Sequence, residues 1–150
     1  MPSAETIGML LKNKAGNRVL SVTPEQSVYD ALELLAKYDI GALPVISDNH
    51  LVGILSERDY ARKVILLGHS SHETKVHQIM TSPVYFISPE KTVEECMAIM
   101  TQQHFRHLPV LEGETITGIV SIGDLVKWVI RDREKTIQDL ESYISSAYPG

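Results

Sequence analysis

Two kinds of hydrophobic spacing alternate along the chain. Val28, Leu32 and Leu35 recur at i, i+4 and i+7, the buried stripe of an otherwise polar helix, and Val93, Met97 and Met100 repeat that stripe later. Short apolar runs at residues 19–22, 43–46 and 51–55 read as strands, the last two joined by the turn Ser47-Asp48-Asn49-His50. Thr23-Pro24-Glu25-Gln26 predicts a helix start: threonine caps, proline suits the first turn and Gln26 closes a capping box. Ser88-Pro89-Glu90-Lys91 repeats the device with a weaker fourth member. A second helix is predicted after Ser56, running to about Leu67, and its counterpart after Ser121.

These pairings are one repeat. Residues 19–64 lie over residues 84–129 at a constant offset of 65 without a gap, and twelve of the 46 positions are identical. Ordinary composition would match about three. Among the identities are Pro24/Pro89, Leu43/Leu108, Pro44/Pro109, Val45/Val110, Gly53/Gly118, Ser56/Ser121 and Asp59/Asp124. Each copy reads strand, helix, strand, strand, helix. A copy of roughly 60 residues buries too little surface to stand alone, so the two are expected to pack together in pseudo-twofold fashion. The expected fold is α/β (α+β), two β-α-β-β-α repeats packed sheet to sheet with an extended C-terminal helix. Repeat one is placed at 6–70 and repeat two at 76–131, with the helical extension and tail at 132–150. The linker centres on Gly68-His69-Ser70-Ser71, and residues 76–80 are read as opening the second copy. Past Ile130 the last helix continues, and Ile137, Leu140 and Ile144 form a narrow stripe with no place in the repeat. It either covers the module or meets a second subunit.

The chemistry concentrates in Gly-Ile-x-Ser-x-x-Asp, which occurs at 53–59 and 118–124. Ser-x-x-Asp between strand and helix is itself a capping box. The same geometry suits a ligand, because a helix N-terminus offers unpaired amides and partial positive charge to a phosphate. An aspartate there is favoured in its ionised form, and its two oxygens can accept both hydroxyls of a ribose. Both uses stay open on these residues.

Tandem copies with Leu-Pro-Val in the middle strand and Gly-hydrophobic-x-Ser-x-x-Asp before the last helix resemble paired CBS domains, the Bateman module. The likeness spans roughly residues 6–131, and the chain is similar to the free-standing two-copy members. That resemblance implies regulation: an adenosyl ligand (AMP, ADP, ATP, or in some members NAD or S-adenosylmethionine) in the cleft between copies, disc-shaped dimers, and control of a partner without catalysis. It assigns Asp59 and Asp124 to ribose, and Ser56 and Ser121 to ribose or phosphate. Ile40-Gly41-Ala42 and Phe105-Arg106-His107 match the segment lining the cleft, and Thr23 and Ser88 match positions that reach the base. Gly41 and Ala42 leave room for a flat base, while Arg58, Arg106 and His107 supply donors for phosphate. Gly123 stands where Arg58 stands in copy one, so one good site holding Asp59 is expected beside a weaker one. His69 stands where related proteins often carry a linker arginine.

Composition narrows the remaining classes. Fourteen lysines and arginines against nineteen aspartates and glutamates give a net charge of −5, which argues against nucleic acid as the main partner. No apolar run approaches the roughly 20 residues of a membrane span, and one cysteine, Cys96, suits a reducing compartment, read as cytoplasmic. His69/His72 and His104/His107 are spaced like metal ligands but lack the remaining ligands of a site, so no metal is expected. Cys96 falls on the apolar helix face as a small hydrophobe, and Trp128 is expected beneath the last helix or as a surface anchor. Walker, dinucleotide and nucleophile-elbow motifs are absent. The expectation is a homodimeric, non-catalytic sensor of AMP, ADP, ATP or NAD that regulates an unidentified protein. A ligand-independent scaffold and, behind it, a nucleotide-acting enzyme are the alternatives.

Overall fold

The computed structural model describes residues 5–14 and 19–147, the side chains of residues 143–147 excepted. In chain order the elements are α1 (Ile7–Lys12), α2 (Val28–Tyr38), β1 (Ala42–Ser47), β2 (His50–Ser56) and α3 (Glu57–Tyr60), which continues as a π-helical turn over Ala61–Ile65. Then come α4 (Val76–Ile79), α5 (Val93–Gln103), β3 (His107–Glu112), β4 (Thr115–Ser121) and α6 (Ile122–Ala147). The two predicted hairpins form in matching register. Leu43 faces Leu55 and Val45 faces Gly53 in one, Leu108 faces Val120 and Val110 faces Gly118 in the other, and each breaks register just after its valine. Asp48 and Asn49 both hold positive φ, 50° and 65°, the backbone of the two-residue turn that suits twisted strands.

The strand predicted to open each copy shrinks to one residue. Val22 makes a parallel bridge to Val45, its N–H donating to Pro44 at 3.0 Å and its carbonyl accepting from Ile46 at 2.8 Å. The next rung back would need an N–H on Pro44, and the next rung forward one on Pro24. Neither proline has one, so the ladder stops on both sides. Ile87, between Pro109 and Pro89, repeats this arrangement.

The predicted helix starts also shift. Thr23–Gln26 is a turn, with Gln26 Oε1 accepting the Thr23 N–H at 2.8 Å, and α2 is capped by Ser27, whose Oγ accepts from the Asp30 N–H at 3.1 Å. In copy two the cap is Thr92, in a full box with Glu95. Bonding by Thr92 holds the Glu95 carboxyl below its ordinary value. Val22 and Ile87 must stay extended for their bridges, and that moves the helix start along to the next hydroxyl.

Two cores form, and the copies exchange their leading segments to close them. One core combines Val22, Val28, Leu35, Leu43, Val45 and Leu55 of copy one with Val76 and Ile79 of α4. The other combines Ile87, Val93, Cys96, Met100, Leu108 and Val120 of copy two with Ile7, Leu10 and Leu11 of α1. Residues 76–80, read from sequence as opening copy two, therefore pack in copy one. Backbone bonds fix the exchange: the Ile7 N–H donates to Lys91 at 2.8 Å and that of Val93 to Glu5 at 2.9 Å. Equivalently, the Val76 N–H donates to Gln26 at 2.9 Å and that of Val28 to Thr74 at 2.8 Å. The predicted extension is present, α6 running on to Ala147; Ile137 and Leu140 are exposed, and the side chain of Ile144 lies outside the described residues.

Ile7 is fully buried in the core of copy two although it stands at the start of repeat one in sequence. Ile7→Ala is expected to cost about 2–5 kcal/mol, the range for emptying a buried aliphatic site. Trp128 packs on the same core, so its emission during urea unfolding reads the loss. A loss below about 1 kcal/mol would mean that α1 contributes little to copy two.

Candidate ligand site

Each Ser-x-x-Asp motif is formed by a strand running directly into a helix. Ser56 ends β2 and caps α3; its Oγ accepts the Asp59 N–H at 3.2 Å. Asp59 Oδ2 accepts the Ser56 N–H at 3.0 Å and its hydroxyl at 3.1 Å. In copy two, Asp124 Oδ2 accepts the Ser121 N–H at 2.8 Å, and Ser121 Oγ accepts the Asp124 N–H at 3.1 Å. The capping box expected from sequence is thus made in both copies. Each helix start is tied back to the segment before its own middle strand, Glu57 N–H to Gly41 at 3.1 Å and Ile122 N–H to Arg106 at 3.0 Å. That is how 40–42 comes to lie beside Ser56–Asp59, and 105–107 beside Ser121–Asp124.

The two assemblies meet. A Cβ added at Gly41 would sit 3.0 Å from His107 Nε2, so only hydrogen fits there without moving the imidazole. Arg58 and Arg106 are close enough for their like charges to hold Arg58 below its ordinary value, with Arg62 adding to the effect. Burial pushes His107 down from its ordinary 6.5; Asp124 opposes that, while Lys14 and Arg106 reinforce it. Ala42 is buried and Ile40 is half-buried against the copy-one core. Thr23 and Ser88 stand exposed beyond the bridging residues Val22 and Ile87, and among the described residues neither side chain bonds to the motifs.

Both aspartates already hold a cation. Lys63 Nζ lies 3.1 Å from Asp59 Oδ1 and donates to the Ile79 carbonyl at 2.9 Å. Lys14 Nζ lies 2.9 Å from Asp124 Oδ2 and donates to the Ile119 carbonyl at 3.2 Å. Sequence reading missed both lysines. Lys63 had a signal, an acid-to-base pair at i,i+4 on a predicted helix. Lys14 had none, being brought to Asp124 across 110 positions by the exchange of α1.

The other candidates have structural roles. Among the described residues no group of three or more His, Cys, Asp or Glu could hold a metal. Cys96 is buried, which pushes its thiol up to about 11. His104 caps α5 in left-handed conformation at φ 59°. His69 lines a polar cavity of about 440 Å³ with Lys63, Ser70 and Glu73, so the linker carries no arginine into it. Trp128 packs on the copy-two core and donates its indole N–H to Glu5. No helix among the described residues is long and apolar enough to cross a membrane.

His107 sets a pH dependence. Its folded value lies below the unfolded one, so the unfolded chain takes up the proton first. Its contribution is present above pH 6.5 and is lost as pH falls from 6.5 towards the lowered folded value. In His107→Gln, urea midpoints measured from pH 7 down to about pH 5 are expected to fall less steeply than in the wild type. Identical slopes would mean that His107 protonates freely in the folded state.

Comparison with known proteins gives this arrangement its kin. The CBS domain family matches residues 16–65 and 76–131. CBSX3, a mitochondrial CBS domain-containing protein of Arabidopsis thaliana, is 38% identical over 151 residues, covering 95% of this chain and 73% of its own length. The solved structure of a CBS-domain protein of Burkholderia ambifaria MC40-6, ascribed to signal transduction, has 48% identity and a TM-score of 0.81 over 85% of this chain and 95% of that one. The CBS-domain containing protein ATU1752 of Agrobacterium tumefaciens has 37% identity and a TM-score of 0.75 over 81% and 97%. Proteins built from these domains are often regulatory or signalling modules. With one domain match on each copy of the repeat, and relatives alike over most of both lengths, the chain belongs to the CBS-domain family.

Proposed function

We propose that this protein is a non-catalytic regulatory module that binds an adenine nucleotide (AMP, ADP, ATP or NAD) between its two copies and controls a partner protein, working as a homodimer. One observation carries the reading: Arg58 and Arg106, from different copies, stand within each other's field beside the Gly41–His107 contact. Two guanidiniums contributed by different copies could grip one phosphate chain between them. We assign the ribose to Asp59, which closes the capping box at the start of the helix that carries Arg58. A ligand shifts the arrangement of the copies only by binding one arrangement better, and a phosphate bridging cations of both copies does that. We assign the protein to a reducing compartment, the cytoplasm, on its single buried cysteine.

A second reading has its own support. Both aspartates are engaged by caps and lysines, which is what a ligand-independent scaffold would need of them. A thermal-shift titration separates the two, with AMP, ADP, ATP and NAD, GMP as control, and Asp59→Ala and Arg106→Ala alongside. Ligand at a hundredfold excess over Kd is expected to stabilise the wild type by about 2.7 kcal/mol. Asp59→Ala should lose that response together with about 1 kcal/mol of cap stability, and Arg106→Ala should weaken ATP more than AMP. No response from any of the four would leave the aspartates as caps and favour the scaffold. Conversion of nucleotide on prolonged incubation would instead make the protein an enzyme.

A further inference from the structure

Asp59 has little acceptor capacity left for a ribose. Its Oδ2 takes both the N–H and the hydroxyl of Ser56, and Lys63 Nζ stands 3.1 Å from Oδ1. A carboxylate offers about four lone-pair sites, and those contacts fill all but one. A vicinal diol brings a pair of donors, so one resident must leave. The Ser56 groups are fixed by the cap, whose Oγ also accepts the Asp59 N–H at 3.2 Å. Lys63 is held by less. Its side chain is 43% exposed, its other bond goes to the Ile79 carbonyl, and an ion pair so open to water is weak.

An alternative partner for the ammonium is at hand. Lys63 and Glu73 line the same polar cavity of about 440 Å³, between the end of the π-helical turn, the linker and α4. Glu73 is exposed and makes no ion pair among the described residues. Copy two lacks this arrangement. Trp128 stands at the place matching Lys63 and packs on the core. There α6 passes through as regular helix, whereas copy one makes its π-helical turn, a rare geometry that recurs at functional sites.

We propose that Lys63 is an internal competitor for the nucleotide, a switch with two seats. Without ligand it occupies Asp59 and ties the π-helical turn to α4 through the Ile79 carbonyl. A ribose arriving on Asp59 displaces it across the cavity to Glu73, so binding unties the turn from α4 and ties it to the linker. This switch rests on the adenine-nucleotide reading above and gives it a route from the occupied site to the linker.

Calorimetric titration of the full-length protein with AMP and with ATP tests it. Lys63→Met keeps the aliphatic stem and removes the competitor. Nucleotide should then bind about threefold to fivefold tighter than to the wild type, the upper range for an exposed ion pair. Glu73→Gln should bind more weakly, because the displaced lysine has lost its second seat. The double variant should bind as Lys63→Met does, since Glu73 acts only through Lys63. Urea midpoints read by Trp128 emission check that each variant folds. Unchanged or weaker binding by Lys63→Met overturns the switch and makes Lys63 a bystander or a ligand contact. So does an unchanged Kd in Glu73→Gln, or a loss there that persists in the double variant. Each of these leaves the nucleotide reading standing. Absence of binding to the wild type and to Lys63→Met alike overturns that reading, and the switch with it.

Discussion

Everything in this molecule depends on the exchange of leading segments between the copies. Neither copy closes its own core: Ile7 and Leu11 complete copy two, and Val76 and Ile79 complete copy one. The apolar burial is reinforced by backbone bonds at each crossing, so neither segment can leave without exposing both amides and aliphatic surface. The duplication is thereby locked into one body. The short spacing between the copies then follows, and with it the meeting of Gly41 with His107, which no single copy could make.

The same exchange distributes charge. Lys14 reaches Asp124 because α1 packs on copy two, and Lys63 spans from Asp59 to the last carbonyl of α4 because α4 packs on copy one. Each acidic motif is consequently neutralised by a cation that the repeat does not duplicate. Arg58 and Arg106 are left within reach of each other's charge, and the net charge of −5 hides a local excess of the opposite sign. The two halves are alike in backbone and unlike in chemistry.

Sequence made the repeated parts legible and the crossings illegible. The stripe on α2 and α5, the hairpins, the Ser-x-x-Asp caps and the long last helix each rest on residues within a few positions of one another, where periodicity and turn chemistry act. The helix starts were misplaced by one turn because Thr23 and Ser27 are both competent caps, and the choice is made by the bridge at Val22. Residues 76–80 open the second copy in sequence, where the second family match also begins, yet they pack in the core of copy one, because sequence order says nothing of which core a segment enters. Lys14 was invisible for the same reason. Of the proposed ligand residues, those at 41, 58, 106 and 107 come together across the copies, whereas Thr23 and Ser88 stand apart from the motifs.

The prolines that flank Val22 and Ile87 have a consequence beyond the fold. An exposed strand edge with regularly spaced amides is a template on which other chains can add, and small sheets have proportionately much edge. Here the outer side of each middle strand is occupied by a single residue and bounded by Pro24 and Pro44, or by Pro89 and Pro109, none of which can donate. An incoming strand would find that edge short of donors where a continuous ladder must begin. That edge of each sheet is closed to strand addition, and duplication carried the protection along with the domain.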